Sequence, residues 1–202
     1  VVGSEDDRAV SQSALLALGA LSHRMLDKQP NLSLQVRQEL GTRLGLAQTA
    51  GDRDVVLDAV GNSGDKELSE QVRPYLQDQA PDVRAHAAQA LRRMPLSTME
   101  PLLRDRIGQE SDPVVRRAMG GAIAEGVFQE QHGVDAETTS ALAKQLAVES
   151  DPKVRAALIS VLGAGAKTDD NARQALIAQF AKETVADLKV LIGRYVSADQ
   201  LH

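Results

Sequence analysis

The octapeptide SDPVVRRA at residues 111–118 returns as SDPKVRAA at residues 150–157, in a chain with no low-complexity sequence. Self-similarity at a spacing of a few tens of residues is the signature of a repeated supersecondary unit that buries its apolar face only by stacking on its neighbours. Alignment on Pro-x-Val-Arg adds a third copy, so that Pro81, Val83, Arg84 precede Pro113, Val115, Arg116 and Pro152, Val154, Arg155 at offsets of 32 and 39 residues. Downstream, the same register carries Ala90 with Leu91, Ala122 with Ile123, and Val161 with Leu162. These are small and apolar pairs of the kind one helix face presents to a repeated neighbour.

The motif has a mechanical reading. Asp112 and Asp151 can accept hydrogen bonds from the unpaired amides of a helix start, and Pro113 and Pro152 then fit the first helical position, where no amide donor is needed. The copy at Pro81 has Ala80 at the cap and keeps Asp82 inside the first turn, where it favours the helix dipole. Between these helices lie others with apolar spacing of three and four: Leu68, Val72, Leu76; Met99, Leu102, Leu103, Ile107; Leu142, Leu146; Leu176, Ile177, Phe180; and Leu188, Leu191, Ile192, Tyr195. Ser97 with Glu100 reads as a capping box that places Pro101 in a first turn, and Pro74 predicts a kink in the helix around Leu68 to Leu76. Three N-terminal stretches, 15–25, 43–52 and 57–65, share a small-apolar-Gly ending in which Gly can stop a helix in the left-handed conformation.

The expectation is an all-α chain: an α-solenoid of about eleven helices in about five antiparallel pairs, coiled as a right-handed superhelix. Its longest irregular joint would be residues 127–137, and no internal linker splits residues 1–202 into two domains. Composition agrees, because Ala and Leu dominate while there are two Tyr, two Phe and no Trp, which suits closely packed helices better than strands.

The P-x-V-R helices and the Gly64–Asp65 turn resemble HEAT and HEAT-like repeats over most of the chain. More narrowly, residues 14–25, 57–65, 83–94 and 146–162 come in the order seen in the helical horseshoe domain of the vitellogenin and microsomal triglyceride transfer protein family. That resemblance implies a supporting role beside lipid-holding β-sheets and contact with protein partners. The chain departs from the family in having no β-rich stretch. Since it begins at Val1, the expectation is a piece of a longer protein, with localisation left open.

The net charge of −5 provides no overall basic field for nucleic acid. The absence of Cys excludes disulfides and thiolate metal sites, and no run of about 18 apolar residues predicts a membrane span. His23, His86, His132 and His202 lack the spacing of zinc or di-iron ligands, and the His-Glu pairs of deoxyhypusine-hydroxylase-like repeats do not occur. GNSG (61–64) and GAGAK (163–167) follow predicted helices and read as helix-ending turns rather than a nucleophile elbow or phosphate cradle. Asp6 with Asp7 and Asp169 with Asp170 sit at predicted helix starts, where capping accounts for them. No catalytic, cofactor or metal residue is therefore assigned.

Residues 73–117 hold eight Arg, no Lys and six acidic groups, whereas 51–72 hold six acidic groups and two basic ones. Arg92, Arg93, Arg104, Arg106 and Arg117 could engage a carboxylate or phosphate on a partner, but solvated helix-end pairs account for them more simply. Arg84, Arg116 and Arg155 recur at one register and read as a structural ladder between repeats. His86, Gln89 and Arg93, which share a helix face, together with Arg117 and Glu125, are the candidate partner-contact residues. The sequence thus points to a non-catalytic scaffold that holds a protein or an adjoining β-rich domain, possible lipid contact passing through that domain. An autonomous lipid carrier, or a HEAT-like lyase or DNA glycosylase, is the less favoured alternative.

Overall fold

The computed structural model describes residues 5–25 and 28–201, for residues 5–8 the backbone alone. The Asp6 and Asp7 side chains, and His202, lie outside the described residues. Eleven α-helices and no strand occur among them, an all-α, HEAT-like α-solenoid. The chain forms two compact units, residues 1–94 and 95–202.

In the first unit, α1 (Glu5–Met25), α2 (Pro30–Leu46), α3 (Ala50–Ser63), the single turn α4 (Ser69–Val72) and α5 (Pro81–Ala90) follow one another. Helix α3 packs on both α1 and α5, and α2 packs on α1 and α3. Thr49 caps α3 by accepting from the Asp52 amide, and Gly64 closes it at φ 62°, donating to the Val60 carbonyl. A non-glycine residue is strained in that conformation. Gly64 alone among the three expected glycine stops adopts it, since Gly19 lies inside α1 and Gly51 inside the first turn of α3. The segment around Pro74 is interrupted more deeply than a kink: 3-10 turns at Lys66–Leu68 and Arg73–Gln77 flank α4. The proline ring fits the start of the second turn, where its missing amide costs nothing.

In the second unit, α6 (Leu96–Ile107), α7 (Pro113–Glu130), α8 (Ala136–Val148), α9 (Pro152–Gly165), α10 (Asp170–Lys182) and α11 (Ala186–Ile192) alternate between two layers. Helix α6 packs on α7, α8 on α9, and α10 on both α9 and α11, while α7, α9 and α11 stack in one layer and α6, α8 and α10 in the other. Met99, Leu103, Ile107, Met119, Ile123, Leu142, Leu158, Leu162, Leu176 and Ile192 are fully or almost fully buried between the layers, each contributing roughly 1.5–3 kcal/mol of transfer free energy.

Two local expectations fail here. The Ser97–Glu100 capping box does not form, because α6 starts two residues earlier than that box requires, with Pro95 at its cap. Ser97 is exposed within the helix. Glu100 is buried and accepts from the Asp135 amide at 2.9 Å, while Glu130 accepts from the Leu96 amide at 2.7 Å. Long carboxylates from other helices have taken over the capping, and Pro101 lies inside the helix. The expected irregular joint at 127–137 is also mostly helical: α7 runs to Glu130 before Gln131 ends it at φ 58°, leaving 131–135 between the helices. No described helix is long and apolar enough to cross a membrane.

Candidate functional site

At Arg116 and Arg155 the repeated arginine stands four residues past its helix cap and donates to a carboxylate two residues before the cap of the next stacked helix. Arg116 Nε and Nη2 reach Glu149 at 2.7 and 2.9 Å, and its Nη1 donates to the carbonyls of Glu110 and Ser111 at 3.0 and 2.9 Å. Arg155 repeats the arrangement on Glu183, at 2.9 and 3.0 Å, and on the carbonyls of Glu149 and Ser150. In the first unit Arg84 Nη1 donates to the carbonyls of Asp78 and Gln79. Arg53, in the same register after Thr49, reaches Asp78 at 3.1 Å.

Each carboxylate also receives the amide of the residue two positions on: Ala80 on Asp78, Asp112 on Glu110, Asp151 on Glu149 and Val185 on Glu183. Burial alone would push the Glu149 carboxyl up. The Arg116 hydrogen bonds, the Asp151 amide and Gln145 overcome it and hold the group at about 2. Glu183 is held at about 2 in the same way, burial being outweighed by Arg155, the Val185 amide and Gln179. These carboxylates stay ionised and fully engaged, which suits a fastener and not a general acid. Arg53, Glu149 and Glu183 escape a search on P-x-V-R. Their signal lies one residue upstream, in Glu110 and Glu149 before the repeated Ser-Asp-Pro, and in the parallel stretches QLAVES and QFAKET that end α8 and α10.

The candidate contact residues separate. In the first unit His86, Gln89 and Arg93 are part-buried. His86 Nδ1 lies 2.7 Å from Asp58 Oδ1, and the Arg93 guanidinium donates to the Asn62 carbonyl. The hydrogen bond to Asp58 raises the His86 pKa, against burial and with help from Asp54 and Asp82. In the second unit Arg117 and Glu125 are exposed on α7; Glu125 accepts from Gln129, and Arg117 forms no ion pair among the described residues. The other central arginines are engaged: Arg92 with Asn62 and the Gln89 carbonyl, Arg104 with Asp135 and Glu137, Arg106 with Gln109.

The histidines do not converge. His23 Nδ1 faces the Ser63 carbonyl, and His132 faces Glu130 and the Gly133 carbonyl. Burial raises the Glu100 carboxyl, but that group holds the start of α8. GNSG and GAGAK lie at the ends of α3 and α9, and Asp169 caps α10 through the Asn171 and Ala172 amides.

Two of the clefts that open to the surface have mainly apolar walls. One of about 440 Å3 lies among α1, α2 and α3, lined by Leu15, Leu46, Val55 and Val56 with Gln12 and Arg43. The other, of about 400 Å3, lies between α7 and α9, lined by Phe128, His132, Ser160, Ala164 and Tyr195. Tyr195 rests flat on α9 at Gly163, where an added Cβ would overlap its ring.

Residues 42–124 match the family described as HEAT repeats. HEAT repeats are in general non-catalytic helical scaffolds for protein interaction. The match bears on the repeat resemblance and does not extend to the lipid transfer family. No curated protein matches the chain.

Proposed function

We propose that the chain is a non-catalytic helical scaffold that binds a protein partner on helix faces left exposed by the repeat stacking. The observation that carries the reading is the HEAT-repeat match over residues 42–124, in a chain whose recurrent polar residues are committed to fastening repeats together. Stacked helix pairs present a repeated surface that is suited to extended contacts. Contact falls first to Arg117 and Glu125, which are exposed. His86, Gln89 and Arg93 would contribute through the edges that α3 leaves uncovered.

The test is affinity capture with cross-linking from the native source, wild type beside the Arg93→Glu, Arg117→Glu double variant. A protein recovered in stoichiometric amount by wild type and depleted by charge reversal is the expected outcome. Transfer of lipid between vesicles by the chain alone, with no protein captured, would replace the scaffold with a carrier.

A further inference from the structure

The second unit has a directional surface on the layer formed by α7, α9 and α11. On α7, Arg117, Ala124 and Phe128 stand at i, i+7 and i+11, which is one stripe of a helix. On α9, Lys153, Ser160 and Ala164 stand at i, i+7 and i+11, again one stripe. Each stripe runs from a cation to the wall of the 400 Å3 cleft over about 16 Å. Lys167 follows the end of α9, and Arg194 precedes Tyr195, which lines the cleft.

Arg117, Lys153, Lys167 and Arg194 are exposed, and none forms an ion pair among the described residues. Several carboxylates of this unit are already engaged: Asp112, Asp151 and Asp169 in capping, Glu149 and Glu183 in the arginine ladder, Glu130 with His132 and the Leu96 amide. Lys167, three residues past Ala164, and Arg194, next to Tyr195, are thus cations beside the cleft without an ion-pair partner among the described residues, while Glu125, next to Ala124, is an exposed carboxylate that accepts from Gln129.

The cleft itself is aromatic. The chain has four aromatic residues, and two of them, Phe128 and Tyr195, line it. Phe128 is 72% exposed, and the Tyr195 hydroxyl has no hydrogen-bond partner among the described residues. Exposed aromatics beside a cleft are the side chains that dominate binding energy when a partner covers them.

We infer that the α7–α9 cleft docks a peptide segment of a protein partner, an aromatic or large aliphatic side chain entering between Phe128 and Tyr195 and flanking carboxylates meeting Lys167 and Arg194 at one end and Arg117 and Lys153 at the other. The inference rests on the scaffold reading and names the partner's chemistry.

The test uses the full chain as bait for a displayed random dodecapeptide library. Selected peptides are then synthesised and titrated against wild type, Phe128→Ala and the double variant Lys167→Glu, Arg194→Glu. Absence of Trp from the chain lets a Trp-bearing peptide report its own burial by fluorescence. The expected peptides carry Asp or Glu on both sides of a Phe, Trp or Leu anchor. Their Kd rises at least tenfold in Phe128→Ala and in the double variant, and at least tenfold with added salt for wild type. Melting curves stay unchanged, since all three side chains are exposed. Selected peptides without acids, or a Kd indifferent to Phe128→Ala, would overturn the site while leaving the scaffold standing. Failure to select any peptide would overturn the site as well, and the scaffold too only if capture from the native source also recovers nothing.

Discussion

Removing Arg116 tests the fastener directly. Arg116→Ala deletes two charged hydrogen bonds to Glu149 and two to backbone carbonyls, and leaves behind a carboxylate whose side chain is fully buried. Hydrogen bonds to charged groups contribute about 1.5–3 kcal/mol each at most, and breaking a buried pair from one side costs about 3–5 kcal/mol. Gln145 and the Asp151 amide remain on Glu149, so the expected loss is about 3 kcal/mol.

The acid limb gives a second handle. The native Glu149 pKa, about 2, lies below its ordinary 4.5. The stabilisation is therefore fully present above pH 4.5 and is lost as pH falls through 4.5 toward 2, with an upper bound of about 3 kcal/mol. In Arg116→Ala that acid-dependent loss should shrink, and adding Glu149→Gln should recover about 1–2 kcal/mol by removing the orphaned charge. Urea unfolding followed by far-ultraviolet circular dichroism at pH 7 and pH 3 measures both. An Arg116→Ala loss under 1 kcal/mol, or an acid limb identical to wild type, would refute the coupling.

Two further outcomes follow from the same geometry. Asp151→Ala should lower stability by about 1 kcal/mol through two lost cap bonds, whereas Ala80→Asp should add about 0.5–1 kcal/mol at the uncapped copy; thermal melts that move in the same direction for both would contradict the cap assignment. His86, raised by its bond to Asp58, contributes stability that is complete below pH 6.5 and is lost as pH rises through its native pKa; nuclear magnetic resonance should place that midpoint above 6.5 in wild type and nearer 6.5 in Asp58→Asn.

Periodic features were legible in the sequence because they are local. The caps at Asp112 and Asp151 and the register of Arg84, Arg116 and Arg155 depend on residues within a turn or two of each other. The ladder's acceptors were not legible in the same way, since Arg116 and Glu149 are 33 residues apart and meet only when helices stack. The Ser97–Glu100 reading failed for a related reason: α6 starts two residues earlier, with Pro95 at its cap, where Glu130 of α7 takes the Leu96 amide, and Glu100 turns away to the Asp135 amide. The α7–α9 cleft was hidden because Phe128 and Tyr195 belong to separate helices, and because 127–137 reads as loop when Gln131 stands where a glycine stop is expected. Arg117 and Glu125 were sequence candidates on α7, whereas Phe128 and Tyr195, which line the cleft beside that helix, were not.

The unequal offsets between copies acquire a meaning from helix length. Pro81 to Pro113 spans 32 residues and Pro113 to Pro152 spans 39, while α5 is 10 residues long and α7 is 18. The longer repeat has put about two extra turns at the C-terminal end of α7, and Phe128 lies within them. A loop insertion would have left the stacking surfaces unchanged and added a flexible excursion; an insertion inside the helix instead lengthens a rigid post beyond the common frame. What looks like imperfect periodicity is then a localised extension of surface on a repeated mechanical unit, carried by the same turns whose Ile123 and Glu130 tie α7 to its neighbours.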